Sequence, residues 1–449
     1  MDFLVFARVA WHRRDVRPVC QHQAPTAGYT RCHTNRTLSV TGNMDRRQFL
    51  HGSLLAGVAN SVFASQATPP TRLVLRSSWQ TVNIGDIAHT PGMLALLDRY
   101  LPDTEVTLWP SSIDRGVDKI LTKRFPKLKL ALTKQEQQAA LDACDFFLHG
   151  SGPGLVGYRE TQRAKEAGKA YGFGGVTLND DEIKNRRDLM QGAQFVYLRD
   201  TDSMRALLAA GFSGPKVDFG PDATFAIDLR NDEGAIRILQ QFELEPGKFL
   251  CAIPRLRYTP YWEIHPGRVK DLAKQSINEQ FVEQDHAKLR AAITAWVRET
   301  QMKAFLVPEM TYQLPLLKTL LFDQLPSDVQ ARTEIMDRYW ITDEAVSVYS
   351  MAAAMVSCEQ HSPIMAISQG TPAILIRQPT DTRKGQMWRD LGMESWIFEI
   401  DQAAGEQIAQ RLVEIGRNLP AARERAKAAS DLSHRKMAAM VQSISLSRP

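Results

Sequence analysis

Cysteine is scarce in this chain, five in 449 residues, and only Cys144, Cys251 and Cys358 lie beyond residue 67. They are widely separated and each sits in an apolar run, so the count excludes a disulfide scaffold. No pair has the spacing of a zinc or redox site. Buried thiols are the expectation. Long apolar runs are missing too. The run Gly52–Ala64 contains Gly57, Asn60 and Ser61, and a membrane span needs roughly 20 apolar residues. No integral span is expected. Lysine and glutamate are absent from residues 1–67, which hold eight Arg and three Asp. That surplus equals the formal charge of the whole chain, +5, so the remainder is close to neutral. A pI near 8.9 would otherwise suggest nucleic acid or an anionic membrane. Because the excess is confined to the leading segment, no nucleic-acid partner is expected.

What the leading segment does hold is Asp45-Arg46-Arg47-Gln48-Phe49-Leu50, followed by the mildly apolar run Gly52–Ala64. This is the order of a twin-arginine export signal, with Ala64 and Ala67 as cleavage points. The reading expects residues 1–43 to be disordered or a mis-called start, Met44 competing with Met1, and residues 44–67 to be the signal peptide. An exported, periplasmic protein follows, with a cytoplasmic one as the alternative. About 380 residues then remain, which implies two domains.

From Arg72 onward, short β-rich runs alternate with helical stretches, the pattern of parallel sheets crossed by helices. Strands are predicted at Leu73–Arg76, Val106–Trp109, Leu128–Ala131, Phe146–His149, Ala170–Phe173 and Phe195–Leu198. A second series is predicted at Phe249–Ile253, Ala304–Val307, Met355–Cys358, Ala373–Ile376 and Trp396–Ile400. The fold class is therefore α/β, two Rossmann-like lobes. The lobes are placed at 68–220 and 234–419, with a linker at 221–233 and a terminal helix at 420–449 that packs back on one lobe. A loop from Arg255 to Gln280, carrying Tyr258, Tyr261 and Trp262 among prolines, reads as a binding loop.

In open α/β sheets ligands bind beyond the carboxyl ends of the strands, so the polar corners after strands are the candidate site. Asn83-Ile84-Gly85-Asp86 precedes a helix expected to begin near Pro91, and Gly85 would let backbone N–H groups approach an anion. Gly150, Ser151 and Gly152, in the run to Gly154, offer donors without side-chain bulk, although the Lys-Ser/Thr ending of a P-loop is missing. Arg199 ends a strand and suits a phosphate or carboxylate, or else an interlobe salt bridge. His361 falls at a helix entry, where it can donate to an anion or act as a general acid. Lys384 closes the next connection.

In their order along residues 76–400 these segments resemble the polysaccharide pyruvyl transferase family. The matches are Asn83-x-Gly85-Asp86, the glycines of 150–154, and Arg199-Asp200 with Ser203 and Gly211. Pro221-Asp222 with Phe225 follows, then His361 leading to Gly370-x-Pro372 and Lys384. The resemblance implies transfer of an enolpyruvyl unit from phosphoenolpyruvate, as co-substrate, to two hydroxyls of a polysaccharide or oligosaccharide acceptor. It also implies a GT-B-like fold with a cleft between the lobes. No metal motif is visible, so no metal is expected, and no cofactor beyond that co-substrate. His361 would be the acid, and Asp86 a base or acceptor-orienting group. Donor contacts would come from Asn83, Gly85, Gly150, Ser151, Gly152, Arg199, Arg255, Arg257 and Lys384. Acceptor contacts would come from Tyr258, Tyr261, Trp262 and Glu359.

One departure concerns Glu359, which stands where the family usually carries Arg two places before the histidine. A carboxylate there repels an anionic donor unless it pairs with Arg or Lys. Phosphoenolpyruvate is moreover a cytoplasmic metabolite, at odds with an export signal. Two alternatives therefore stand beside pyruvyl transfer: an exported non-catalytic carbohydrate-binding protein of the same fold, and a GT-B nucleotide-sugar glycosyltransferase, for which Glu359 would serve the donor pocket.

Overall fold

Apolar runs such as Leu73–Leu75, Phe146–Leu148 and Phe249–Ile253 are buried along their length, as strands covered by helices on both faces must be. A computed structural model describes residues 71–77 and 79–444. The twin-arginine segment around Arg46 and Arg47, and everything expected of residues 1–67, lies outside the described residues.

The first sheet holds β1 (Arg72–Arg76), β2 (Glu105–Trp109), β3 (Lys129–Leu130), β4 (Phe146–Pro153), β5 (Ala170–Thr177), β6 (Phe195–Leu198) and β7 (Lys216–Phe219). The second holds β8 (Phe249–Ile253), β9 (Lys303–Leu306), β10 (Thr333–Ile335), β11 (Ala354–Ser357), β12 (Ala373–Arg377) and β13 (Ile397–Glu399). Their orders are β3-β2-β1-β4-β5-β6-β7 and β10-β9-β8-β11-β12-β13, and every pairing is parallel. The order reverses between β1 and β4 in one sheet and between β8 and β11 in the other. Those switch points are where an open α/β sheet leaves a crevice for a ligand. They place the segments after β1, β8 and β11 and the end of β4 in one region.

The helices that matter for this region are α1 (Ile84–Tyr100), α2 (Leu272–Thr300), α3 (His361–Ser368), α4 (Gly405–Arg417) and α5 (Leu419–Gln442). One apolar core takes in Ile84, Ile87 and Ala88 of α1, Ile364 and Ala366 of α3, and Met437 and Met440 of α5. The terminal helix therefore packs on both lobes, not on one: the Tyr197 hydroxyl at the end of the first sheet meets Ser443 Oγ at 2.8 Å. None of the helices among the described residues is long and apolar enough to cross a membrane.

Four details differ from the sequence expectation. Helix α1 begins at Ile84, with Pro91 inside it, because the Asn83 side chain caps it by accepting from Gly85 N at 2.7 Å and Asp86 N at 3.2 Å. Strand β4 runs on to Pro153, so Gly150 and Gly152 are ladder residues opposite Gly174 and Val176. The Arg255–Gln280 loop is shortened by a turn of helix at Tyr261–Ile264 and by the early start of α2. Strands β7 and β10 carry Lys216, Asp218 and Glu334 and lie at sheet edges, where mixed sequences weaken the apolar signal.

Candidate active site

Helix α1 starts against the second lobe. Ile84 N donates to Glu309 O at 3.0 Å, Thr311 N to Val82 O at 3.1 Å, and Thr342 Oγ1 to Ile84 O at 2.8 Å. The contact with α3 is closer still. A Cβ on Gly85 would lie 2.3 Å from His361 Cβ, so glycine is required there by the imidazole. With the Gly85 and Asp86 N–H groups on Asn83 Oδ1, this turn is not a free anion cradle. Similarly, a Cβ on Gly152 would lie 2.3 Å from Trp79 Nε1, and that indole donates to Ser151 O at 3.1 Å. The glycines of β4 serve close packing.

The centre of the arrangement is Asp222, fully buried. Its Oδ1 lies 2.8 Å from His89 Nδ1 and accepts from Ser151 Oγ at 3.1 Å. Its Oδ2 takes Arg199 Nη1 at 2.5 Å. Burial pushes its carboxyl up, but His89, Arg199 and His361 outweigh burial and hold it well below the usual range. Arg199 also donates from Nε to Thr177 Oγ1 at 2.7 Å, so both its faces are committed. Burial pushes the His89 imidazole below its ordinary value, with Asp222 opposing.

His361 is held from the other side. Its Nδ1 lies 3.3 Å from Glu309 Oε1, and Ser362 N donates to Glu309 Oε2 at 2.7 Å. Burial pushes the Glu309 carboxyl up, and these hydrogen bonds more than reverse it. The His89 and His361 rings meet edge to face, 4.9 Å between centroids. Gln80 donates from Nε2 to Asp86 Oδ2 and, at 3.3 Å, to the Tyr261 hydroxyl, which brings the aromatic loop to the same corner. Asp86, His89 and His361 offer donor atoms within 4.8 Å of one another, a set able to hold a metal ion.

Glu359 finds the partners that its position demands. Gln313 Nε2 donates to its Oε1 at 2.8 Å, and Arg255 Nε lies 3.4 Å from its Oε2. Burial nevertheless pushes its carboxyl up to about 8, Arg255 offsetting only part. Arg255 Nη1 also takes Asp381 Oδ1 at 2.6 Å, and Lys384 Nζ reaches the same oxygen at 3.3 Å. Burial raises the Asp381 carboxyl, but Arg255 and Lys384 hold it below the usual range. A depressed folded pKa stabilises the fold above the unfolded value of about 4, and that contribution is lost as pH falls through the folded value. Urea unfolding is therefore expected to show a flatter acid limb for Asp381→Asn than for the wild type between about pH 5 and pH 3. Identical slopes would remove Asp381 from the acid response.

The structure thus gathers Asn83, Gly85, Asp86, Ser151, Arg199, Arg255, Tyr261, Glu359, His361 and Lys384 around one interlobe corner. Arg257 does not share it. Its guanidinium is held by Asp285 at 2.8 Å and by Asp401, and lies over the Phe281 ring at 3.6 Å, a latch between the loop and α2. Tyr258 N is fixed by Asn278 at 2.8 Å, and Trp262 carries a buried Nε1 without a hydrogen-bond partner. Sequence reasoning missed His89, Glu309 and Gln313 as site residues, and gave Asp222, present only as part of the Pro221-Asp222 motif, no role in the site. His89 stands three residues after Asp86 on the same helical face, and Glu309 follows β9 as other site residues follow their strands, so both signals were present.

Two facing Rossmann-like lobes with a charged corner between them define a GT-B-like fold. The sequence profile of the polysaccharide pyruvyl transferase family matches residues 83–378, and the chain belongs to that family. No curated protein matches it by sequence. Among solved structures it resembles the UDP complex of MnaA from S. aureus at 12% identity and TM-score 0.53, covering 84% of this chain and 99% of that one. It resembles UDP-GlcNAc 2-epimerase from Methanocaldococcus jannaschii at 14% identity and TM-score 0.50, covering 78% and 93%. HepE of Anabaena, in complex with UDP and glucose, aligns at 11% identity and TM-score 0.50 over 83% and 97%. Identities this low speak for the fold alone.

Proposed function

We propose that this chain transfers the enolpyruvyl unit of phosphoenolpyruvate to two hydroxyls of a sugar, giving a pyruvate ketal and phosphate. The observation that carries this reading is the family match, which opens at Asn83, the cap of α1, and closes at Gln378, just past β12. It spans both sides of the interlobe corner. In the reaction one sugar hydroxyl adds to the enol carbon while the methylene takes a proton and becomes a methyl group. The second hydroxyl then displaces phosphate from the same carbon, and its proton leaves with the phosphate or a base. In this reading Asp86 would accept a hydroxyl proton, and Tyr261, which shares Gln80 with it, would meet the acceptor ring. Arg255 and Lys384, which share Asp381, would bind the donor, and His361 would supply the proton that the methylene takes.

A second reading, transfer of a sugar from a nucleotide sugar, is favoured by one observation. Arg199, Arg255, Arg257 and Lys384 are each already paired with carboxylates, which leaves little free positive charge for a small trianion. The buried Glu359 would then take ribose hydroxyls. Incubating the chain with phosphoenolpyruvate and a panel of glycans, and in parallel with UDP-sugars, separates the two. Phosphate release with a ketal methyl signal in the NMR spectrum is expected, and His361→Ala is expected to abolish it. Release of UDP without phosphate would replace the first reading by the second. Glycan binding with neither product would leave a binding protein.

A further inference from the structure

We infer that Asp86, His89 and His361 form a site for one divalent first-row transition-metal ion. Their donor atoms lie within 4.8 Å of one another and all three residues are buried. The two imidazoles, edge to face, are each backed at Nδ1. His89 Nδ1 is 2.8 Å from Asp222 and His361 Nδ1 is 3.3 Å from Glu309, each a buried carboxylate, while both Nε2 atoms are buried without a hydrogen-bond partner. A buried ring nitrogen without a partner is costly. Two such nitrogens, each backed by a carboxylate on the opposite side of its ring, make the outer-shell pattern of metal-binding histidines. Asp86 is steadied by Gln80 Nε2 on its Oδ2.

Two histidines and one carboxylate suit zinc, or iron in its divalent state, and leave a coordination position open. Ligand bonds of about 2.0–2.2 Å put tetrahedral donors roughly 3.4 Å apart, so binding draws the set inward. His361 Nε2 lies 3.9 Å from Asp222 Oδ2, but that oxygen is already held by Arg199. The site joins α1 to the start of α3 and so ties the two lobes. Binding rests on geometry alone. Its part in catalysis rests on the pyruvyl-transfer reading: the ion adds the positive charge that the paired arginines and lysine do not offer, and its open position takes an anionic group of the donor. Asp86 and His361 are then ligands, and not the base and the proton donor that the family resemblance implies.

The test uses the full chain stripped by chelator dialysis, titrated with Zn2+ by calorimetry and with Co2+ followed by visible absorption. One ion per chain is expected, with the absorption bands of low-coordinate Co2+. Asp86→Ala and His361→Ala, checked for folding by circular dichroism, are expected to lose this binding. Glu309→Gln is expected to weaken it about 10–100-fold, and His434→Ala, outside the set, to leave it unchanged. Wild-type protein that takes up no Zn2+, or takes it up as tightly as the folded Asp86→Ala/His361→Ala variant, overturns the site. Zn2+ binding without turnover of phosphoenolpyruvate keeps the site and removes the pyruvyl reading. Turnover unchanged by stripping keeps that reading and removes the ion from it.

Discussion

Asp222→Ala is expected to cost about 3–5 kcal/mol of folding stability, the range for breaking a buried ion pair by removing one partner, and to abolish turnover. The carboxylate is fully buried and serves four groups at once: Arg199 on one oxygen, His89, Ser151 and the Thr224 N–H on the other. Removing it leaves the Arg199 guanidinium, itself buried, with only Thr177 on Nε. It also frees the His89 ring, whose orientation depends on Asp222 and Ser151. Asp222→Asn keeps the shape and loses the charge, so it is expected to fall between wild type and alanine. The pairing itself is isolated by a cycle with Arg199→Met. The double variant Asp222→Leu/Arg199→Met is expected to be more stable than either single change predicts by addition, because no buried charge is left without a partner. Urea unfolding of the four proteins measures this, and strict additivity would show that Asp222 and Arg199 do not act as a unit.

The location of Asp222 also explains what was legible in the sequence. Strands such as Phe146–Leu148 and Phe249–Ile253 are apolar on both faces and announce themselves, and the order of strands and helices then constrains the fold to two lobes. Edge strands β7 and β10 do not, since Lys216, Asp218 and Glu334 interrupt them. The same logic governs the site. Arg199 and His361 directly follow strands, and position along the chain was enough to single them out; Arg255 and Glu359 also follow strands but were reached only through the family resemblance. What position cannot supply is partnership. Glu359 looked repulsive to an anion until Arg255, from a different strand, was found beside it at 3.4 Å. Arg257 looked equivalent to Arg255, two residues away, but its partners Asp285 and Asp401 come from α2 and from the residues past β13. Gly85 and Gly152 looked like open backbone donors, because the sequence does not show that an imidazole and an indole occupy the space their missing side chains leave.

That occupied space gives the second large effect. Gly85→Ala places a methyl group 2.3 Å from His361 Cβ and 2.5 Å from both Cγ and Nδ1. The Cβ is fixed to the backbone of α3, and the ring is held between Glu309 and the edge of His89, so neither neighbour can swing aside. Gly85 is an ordinary first-turn helical residue, and alanine there gains up to about 1 kcal/mol of helix propensity. Overpacking costs about 1–3 kcal/mol, so the net loss of stability is modest. The loss of function is not. Separating α1 from α3 by about 1 Å moves Asp86 and His89 away from His361, and a misplacement of that size costs on the order of 100-fold in rate. Gly85→Ala is therefore expected to remain folded, with a lower Tm, while turnover, read as phosphate release if the proposed pyruvyl transfer holds, falls by about 100-fold or more. His361→Gly removes both the Cβ and the ring but also the partner of the buried Glu309 Oε1, so the double variant Gly85→Ala/His361→Gly is expected to be inactive and to have a higher Tm than the two single changes predict by addition. A Gly85→Ala protein with wild-type Tm and wild-type rate would mean that the two helices do not meet as closely as 2.3 Å implies, and the interlobe corner would lose its main steric constraint.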